Sequence, residues 1–176
     1  MSGHNKWSKI KHKKAATDAK KSKIFSKYAR LITVESKKAK GDVNSPSLKA
    51  VIENAKKENM PQDNIARAVQ KGAGEGGAEM IEVSYEAYGP GGSAIIIEGI
   101  TDNKNRTGAE IKHLLSKSSI ELATPGSASW AFEKDGLSWK AKTITPISEE
   151  DKEKLETLVE NLLDQDDVQE VYTNVN

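Results

Sequence analysis

The sequence predicts an α+β protein of more than one domain: a three-helix bundle behind a basic arm, then a β-β-α-β-α-β unit with its helices on one face of a mostly antiparallel sheet. Three observations carry this. Apolar residues recur at helical spacing in the first part of the chain, strand-like alternation begins only at Glu82, and the charge changes sign between the two parts. Residues 1–75 hold 18 Lys and Arg against 7 Asp and Glu, and residues 76–176 hold 9 against 19, in a chain whose formal charge is only +1. The domains are therefore expected at 1–75 and 76–176.

From about Ala15 to Lys40, the residues Ile24, Phe25, Tyr28, Leu31 and Ile32 fall at i, i+1, i+4, i+7 and i+8, one face of a helix. Lys20, Lys23, Lys27 and Arg30 fall mostly off that stripe, and Gly41 supplies a residue that tolerates the left-handed cap. Ser45-Pro46 restarts a helix with Ser at the N-cap and Pro at the first helical position, and Leu48, Val51, Ile52 and Ala55 as its stripe. Pro61 opens a third, with Asp63 against the positive end of the helix dipole, Ile65, Ala68 and Val69 inward, and Gly72 as its stop. Three amphipathic helices with short connections make a small bundle.

Gly72-Ala73-Gly74-Glu75-Gly76-Gly77 matches the spacing of a dinucleotide fingerprint but follows a helix instead of a strand, so it reads as a flexible linker. Beyond it, Val83, Tyr85 and Ala87 alternate onto one side of a strand. Gly89-Pro90-Gly91-Gly92 then turns the chain into a more buried strand from Ser93 to Ile100, completing a hairpin. That turn lacks the Gly-Lys-Ser/Thr ending of a phosphate-binding loop. A polar loop holding Asn103, Asn105, Arg106 and Thr107 leads into a helix with Ile111, Leu114 and Leu115 inward. Asn and Arg beside free helix amides suit phosphate or ribose, and the same residue types serve equally as caps and turn formers; both roles stand open.

Gly126 to Glu133 reads as a strand carrying Trp130 and Phe132 on one side. Lys134 to Ile147 is a polar excursion around Trp139 that holds at most one further short strand. Ser148 with Asp151 begins a helix in capping-box style, with the stripe Leu155, Leu158, Val159, Leu162 and Leu163, and Asp167 to Thr173 closes the chain as a strand.

The composition excludes several kinds of chemistry. With no cysteine, disulfides, thiolate metal sites and cysteine nucleophiles are absent. His4, His12 and His113 show no metal-like spacing, and no serine lies in a nucleophile-elbow context. No catalytic residue, cofactor, metal or small-molecule substrate is expected. No apolar run reaches the length of a membrane span, and the N-terminus lacks a secretory core, so a cytoplasmic protein is expected.

The positive charge is densest at the start. Ten of residues 1–30 are Lys or Arg, and Asp18 is the one acid among them. Self-repulsion of that density favours a polyanionic partner, which makes His4, Lys6, Trp7, Lys9, Lys11, His12, Lys13, Lys14, Lys20, Lys21, Lys23, Lys27 and Arg30 the expected nucleic-acid contacts. Trp7 either stacks on an exposed base or packs on the bundle.

The motifs Gly3-His4-Asn5-Lys6-Trp7-Ser8, Asn59-Met60-Pro61-Gln62-Asp63-Asn64-Ile65, Tyr88-Gly89-Pro90-Gly91-Gly92, Thr101-Asp102-Asn103-Lys104-Asn105-Arg106-Thr107 and Asp167-Val168-Gln169-Glu170-Val171-Tyr172 lie in order along the chain. Together they resemble the YebC/PmpR family. The resemblance implies a helical N-terminal domain, an α+β second domain and no enzyme activity. It implies either a DNA-binding transcriptional regulator, as bacterial members are widely described, or a translation factor. The family also includes the mitochondrial translational activator of cytochrome c oxidase and ribosome-associated factors that help synthesis of proline-rich stretches. The chain departs from the family where an inserted ferredoxin-like domain usually stands: only residues 134–147 occupy that place.

The first expectation is thus a ribosome- or RNA-associated translation factor, with the arm on rRNA phosphates. The loops holding Tyr88, Gly89, Pro90 and Gly91, and Asn103, Asn105, Arg106 and Thr107, would then probe a partner site. The second is a DNA-binding transcriptional regulator using the same lysines, and the third a protein-interaction module. Lysine meets the phosphates of RNA and DNA alike, so the residues leave that choice open.

Overall fold

A computed structural model of the chain describes residues 18–74 and 79–176. They fall into two compact units. One holds the first three helices and runs to Glu82, with Ile100–Asp102 added; the other holds Val83–Gly99 and Asn103–Asn176.

In the helical unit, α1 spans Asp18–Lys38, α2 Pro46–Lys57 and α3 Gln62–Gly72. Helix α1 ends as its glycine requires: Gly41 takes φ +81° and its amide reaches the Ser36 carbonyl at 2.9 Å. Ser45 and Pro46 stand at the N-cap and first turn of α2, where Ser45 contributes its backbone carbonyl to the Lys49 amide and no side-chain cap bond. Tyr28, Ile32, Leu48, Val51, Ala55, Met60, Ile65 and Ala68 are buried, so the helical stripes do supply this unit's core.

The second unit is built on a four-stranded sheet of order β3-β1-β2-β6, with β1 Ile81–Tyr88, β2 Ala94–Thr101, β3 Leu122–Ala123 and β6 Val168–Thr173. Antiparallel pairing sets Ile96 opposite Tyr172 and Ala87 opposite Leu122. Helices α4 (Lys104–Ser116) and α5 (Glu149–Asp164) cover one face, where Ile95, Ile97 and Val171 meet Ile111, Leu115, Leu158 and Leu162. Ser148 caps α5 as expected, its Oγ accepting from the Asp151 amide at 3.1 Å. The α+β class therefore holds.

Two details differ from the sequence expectation. Gly126 to Glu133 is not one strand: Ser129–Ala131 forms a 3₁₀ turn, and β4 (Phe132–Asp135) pairs with β5 (Ser138–Ala141) as a separate hairpin. The cause is Glu86, whose carboxylate accepts from the amides of Gly126, Ala128 and Ser129. Those are the donors a strand would have offered to a neighbour. The short β3 takes the sheet edge instead, and Trp130 stands 51% exposed. The second difference concerns the face opposite the helices. It is covered too, because Ala94, Ile96 and Tyr172 pack with Ala128, Ala131, Phe132 and Ala141. Glu98 ties the hairpin down, accepting from Trp139 Nε1 at 2.7 Å and Lys134 Nζ at 3.3 Å.

Candidate nucleic-acid interface

The helical unit concentrates positive charge. Residues 18–74 carry 13 Lys and Arg against 6 Asp and Glu. Cations stand at both ends of α1. Lys20, Lys21 and Lys23 are exposed on its N-terminal half. At the other end Lys37 pairs with Glu79, and Lys38 lies 3.0 Å from Glu35 and 3.1 Å from Glu82. Partial burial lowers the Lys38 pKa, but its bonds to the two carboxylates outweigh that and leave it raised.

Two expected contacts take other positions. Lys27 is only 3% exposed, because the buried surface of α1 extends beyond the apolar stripe and takes in Lys27 beside Tyr28, as it does Thr33, Val34, Glu35 and Ser36. Arg30 is half-buried, and its Nη1 donates to the Ile100 carbonyl at 2.9 Å. His4, Lys6, Trp7, Lys9, Lys11, His12, Lys13 and Lys14 lie outside the described residues, as does part of the expected linker.

Where α1 meets α3, small and hydroxylated residues let the backbones approach. The Thr33 hydroxyl donates to the Ala29 carbonyl at 2.7 Å and is 3.3 Å from the Ala68 carbonyl, and Ser36 donates to the Val69 carbonyl at 2.6 Å. A Cβ on Gly72 would stand 2.3 Å from the Thr33 carbonyl oxygen, so only glycine fits there. Next to this contact lies a cleft of about 560 Å³, lined on the α1 side by Phe25 and Arg30 and on the α3 side by Asn64, Arg67 and Lys71. Arg67 donates to Asn64 Oδ1 within it. Asn64, Arg67 and Lys71 were not among the expected contacts. Their i, i+3, i+7 spacing was the available signal, and without a lysine run around them it is weak.

The two expected partner loops differ in what they have free. Tyr88 is 39% exposed, and its hydroxyl donates to the Ser127 carbonyl while accepting from Trp130 Nε1 at 2.8 Å. Gly91 sits at φ +67°, where a Cβ would meet Ile147 Cγ2 at 2.6 Å, so this Gly-Pro turn is held tightly against the sheet unit. Burial tends to raise the Glu86 carboxyl pKa, but the amides of Gly126, Ser129 and Ala128 together outweigh it and hold the group below the ordinary carboxylate range.

In the second loop, capping chemistry occupies most of the residues. Asn103 accepts from the Arg106 amide at 3.1 Å and so caps α4. Arg106 Nη2 lies 3.1 Å from Asp167 Oδ2, and the Thr107 hydroxyl donates to the same oxygen at 2.7 Å. Asn105 is exposed. Among the described residues, no group of three or more His, Asp or Glu is placed to hold a metal ion. No helix among them is long and apolar enough to cross a membrane.

A family model described as the TACO1/YebC protein N-terminal domain matches residues 5–75, and one described as the TACO1/YebC second and third domain matches 80–138 and 135–175. The chain belongs to the TACO1/YebC family. A probable transcriptional regulatory protein of Chloroherpeton thalassium is 47% identical over 178 residues, covering 99% of this chain and 71% of the relative. One of Petrotoga mobilis, with the same description, is 53% identical over 139 residues, covering 78% of this chain and 55% of the relative. The match to the Petrotoga protein thus spans just over half of that relative's length. Among solved structures, the conserved hypothetical protein Aq1575 from Aquifex aeolicus superposes with a TM-score of 0.86 at 32% identity, covering 95% of each chain.

Proposed function

We propose that this chain is a non-enzymatic nucleic-acid-binding regulator of gene expression that acts in the cytoplasm on the RNA of the translation machinery. One observation carries it: Lys20, Lys21 and Lys23 are all exposed on the N-terminal half of α1. Exposed cations there, continuous in sequence with five more lysines in residues 1–17 and no acid, suit a phosphate backbone. RNA is favoured because the neighbouring basic surface is concave, which fits unpaired strands better than a duplex groove. No cofactor, metal or small-molecule substrate enters this reading.

The names of the relatives, probable transcriptional regulatory proteins, favour a second reading in which the same surface binds DNA. Crosslinking in cells, followed by sequencing of the bound RNA and DNA, separates the two. Adducts on rRNA together with co-sedimentation with ribosomes support the first. Enrichment of discrete DNA sites with matching footprints would replace it with the second.

We also propose that the β4–β5 hairpin stands where longer relatives carry further residues. Its support is the match covering 99% of this chain but 71% of the Chloroherpeton protein, and the break of the second family model at residues 135–138.

A further inference from the structure

We propose that the cleft between α1 and α3 takes one unstacked nucleotide of a single-stranded nucleic acid; this rests on the nucleic-acid reading above and gives it a specific subsite. The lining residues supply three chemistries. Phe25 and Met60 offer a ring and a polarisable thioether to a base. Arg67 and Lys71 offer charge to a phosphate, and among the described residues no Asp or Glu lines the cleft. Asn64 offers a polar edge: its Oδ1 already accepts from Arg67, so its amide protons are the group left to meet a base acceptor.

The volume of about 560 Å³ lies inside the roughly 300–1,000 Å³ range of sites that enclose small ligands. A bare phosphate would leave Phe25 and Met60 unused, and a base in a duplex has both faces covered by its neighbours. An unstacked nucleotide uses all three groups. Arg67 and Lys71 stand four residues apart on one helix, a like-charge spacing that costs stability until an anion lies between them. Their placement is also fixed, since Gly72 and the Thr33 and Ser36 bonds hold α3 against α1 beside the cleft.

The test uses the full chain with labelled oligonucleotides of about ten nucleotides, in ribose and deoxyribose forms, single-stranded and duplex. The double variant R67A/K71A is compared with K56A/K57A, which removes the same charge from α2 outside the cleft. R67A/K71A is expected to weaken single-strand binding about tenfold and to leave duplex binding no weaker than in K56A/K57A. F25L, which keeps apolar bulk but loses the ring, is expected to weaken single-strand binding alone, and a 2-aminopurine in the oligonucleotide should report an unstacked base that F25L releases. Unchanged circular dichroism and melting temperature establish that each variant is folded. Equal losses for the two double variants on single and double strands would overturn the cleft proposal and leave the nucleic-acid reading intact. Failure of the unaltered chain to bind any of the four oligonucleotides would overturn both. The sugar preference of the single-strand effect identifies RNA or DNA as the source of the nucleotide.

Discussion

The Thr107 hydroxyl donates to Asp167 Oδ2 at 2.7 Å, joining the first turn of α4 to the residue just before β6. Asp167 is buried, and Arg106 and Gln165 also reach its carboxylate. Asp167→Ala leaves the Thr107 hydroxyl the Asn103 carbonyl, at 3.1 Å, and leaves the Arg106 guanidinium the more distant Glu110 carboxylate, at 4.0 Å. The expected loss is about 2–3 kcal/mol, with Thr107→Val costing about 1 kcal/mol, since only the hydroxyl goes. Urea denaturation of both variants checks the ordering. Equal and negligible losses would mean the network is not structural.

Gly72→Ala tests the packing of α1 on α3. Helix propensity alone would make alanine better by about 1 kcal/mol. Here the new Cβ meets the Thr33 carbonyl oxygen and Ser36 Cβ at 2.3 and 2.5 Å, so the helices must separate. The overpacking cost of about 1–3 kcal/mol offsets or exceeds the propensity gain, and the melting temperature is expected to fall. A rise would show that the two backbones are not in close contact.

Glu86 gives the sheet unit a defined acid response. Its carboxyl is held below the unfolded value, so the group contributes stability that is fully present above about pH 4.3 and is lost as pH falls through the lower, folded value. Glu86→Gln, with one acceptor oxygen for three amides, is expected to be less stable than the unaltered chain at neutral pH. The gap should narrow on acidification below about pH 4. Denaturant midpoints across that window provide the measurement, and a gap independent of pH would contradict it.

Much of this architecture was legible in the sequence because its signals are local. The stripes of Ile32, Leu48, Val51 and Ile65, the Ser148 cap and the Val83–Tyr85–Ala87 alternation each specify an element within about ten residues. Gly126 to Glu133 was misleading because Glu86, forty residues earlier, takes the amides that a strand needs. Lys27 was misplaced because periodicity gives the direction of a helix face and not its width. The cleft was invisible for a related reason: Arg30 and Arg67 come from different helices, and only packing at Gly72 brings their neighbourhoods together. The loop holding Asn103, Arg106 and Thr107 had two possible roles in sequence, and capping is the one that its bonds display.

Salt dependence tests the exposed end of α1. If the surface neutralises about five phosphates, log affinity for duplex DNA falls with log salt at a slope of roughly −4.5, and for single strands at about −3.5. Lys20→Glu, Lys21→Glu and Lys23→Glu together are expected to flatten the slope by about three contacts' worth, and Lys37→Glu with Lys38→Glu to flatten it less. An unchanged slope in the Lys20, Lys21 and Lys23 variant would remove that end of α1 from the binding surface.

The β4–β5 hairpin has a practical consequence. Its turn at Gly136 and Leu137 joins two strands that pair as a sheet only with each other, and Leu137 is 58% exposed. The residues that close the core beneath, Phe132 and Ala141, sit at the far ends of the two strands. This makes the tip a splice port. A foreign domain entered and left through Gly136 and Leu137 would interrupt no strand pairing of the four-stranded sheet, so a fluorescent reporter could be carried there.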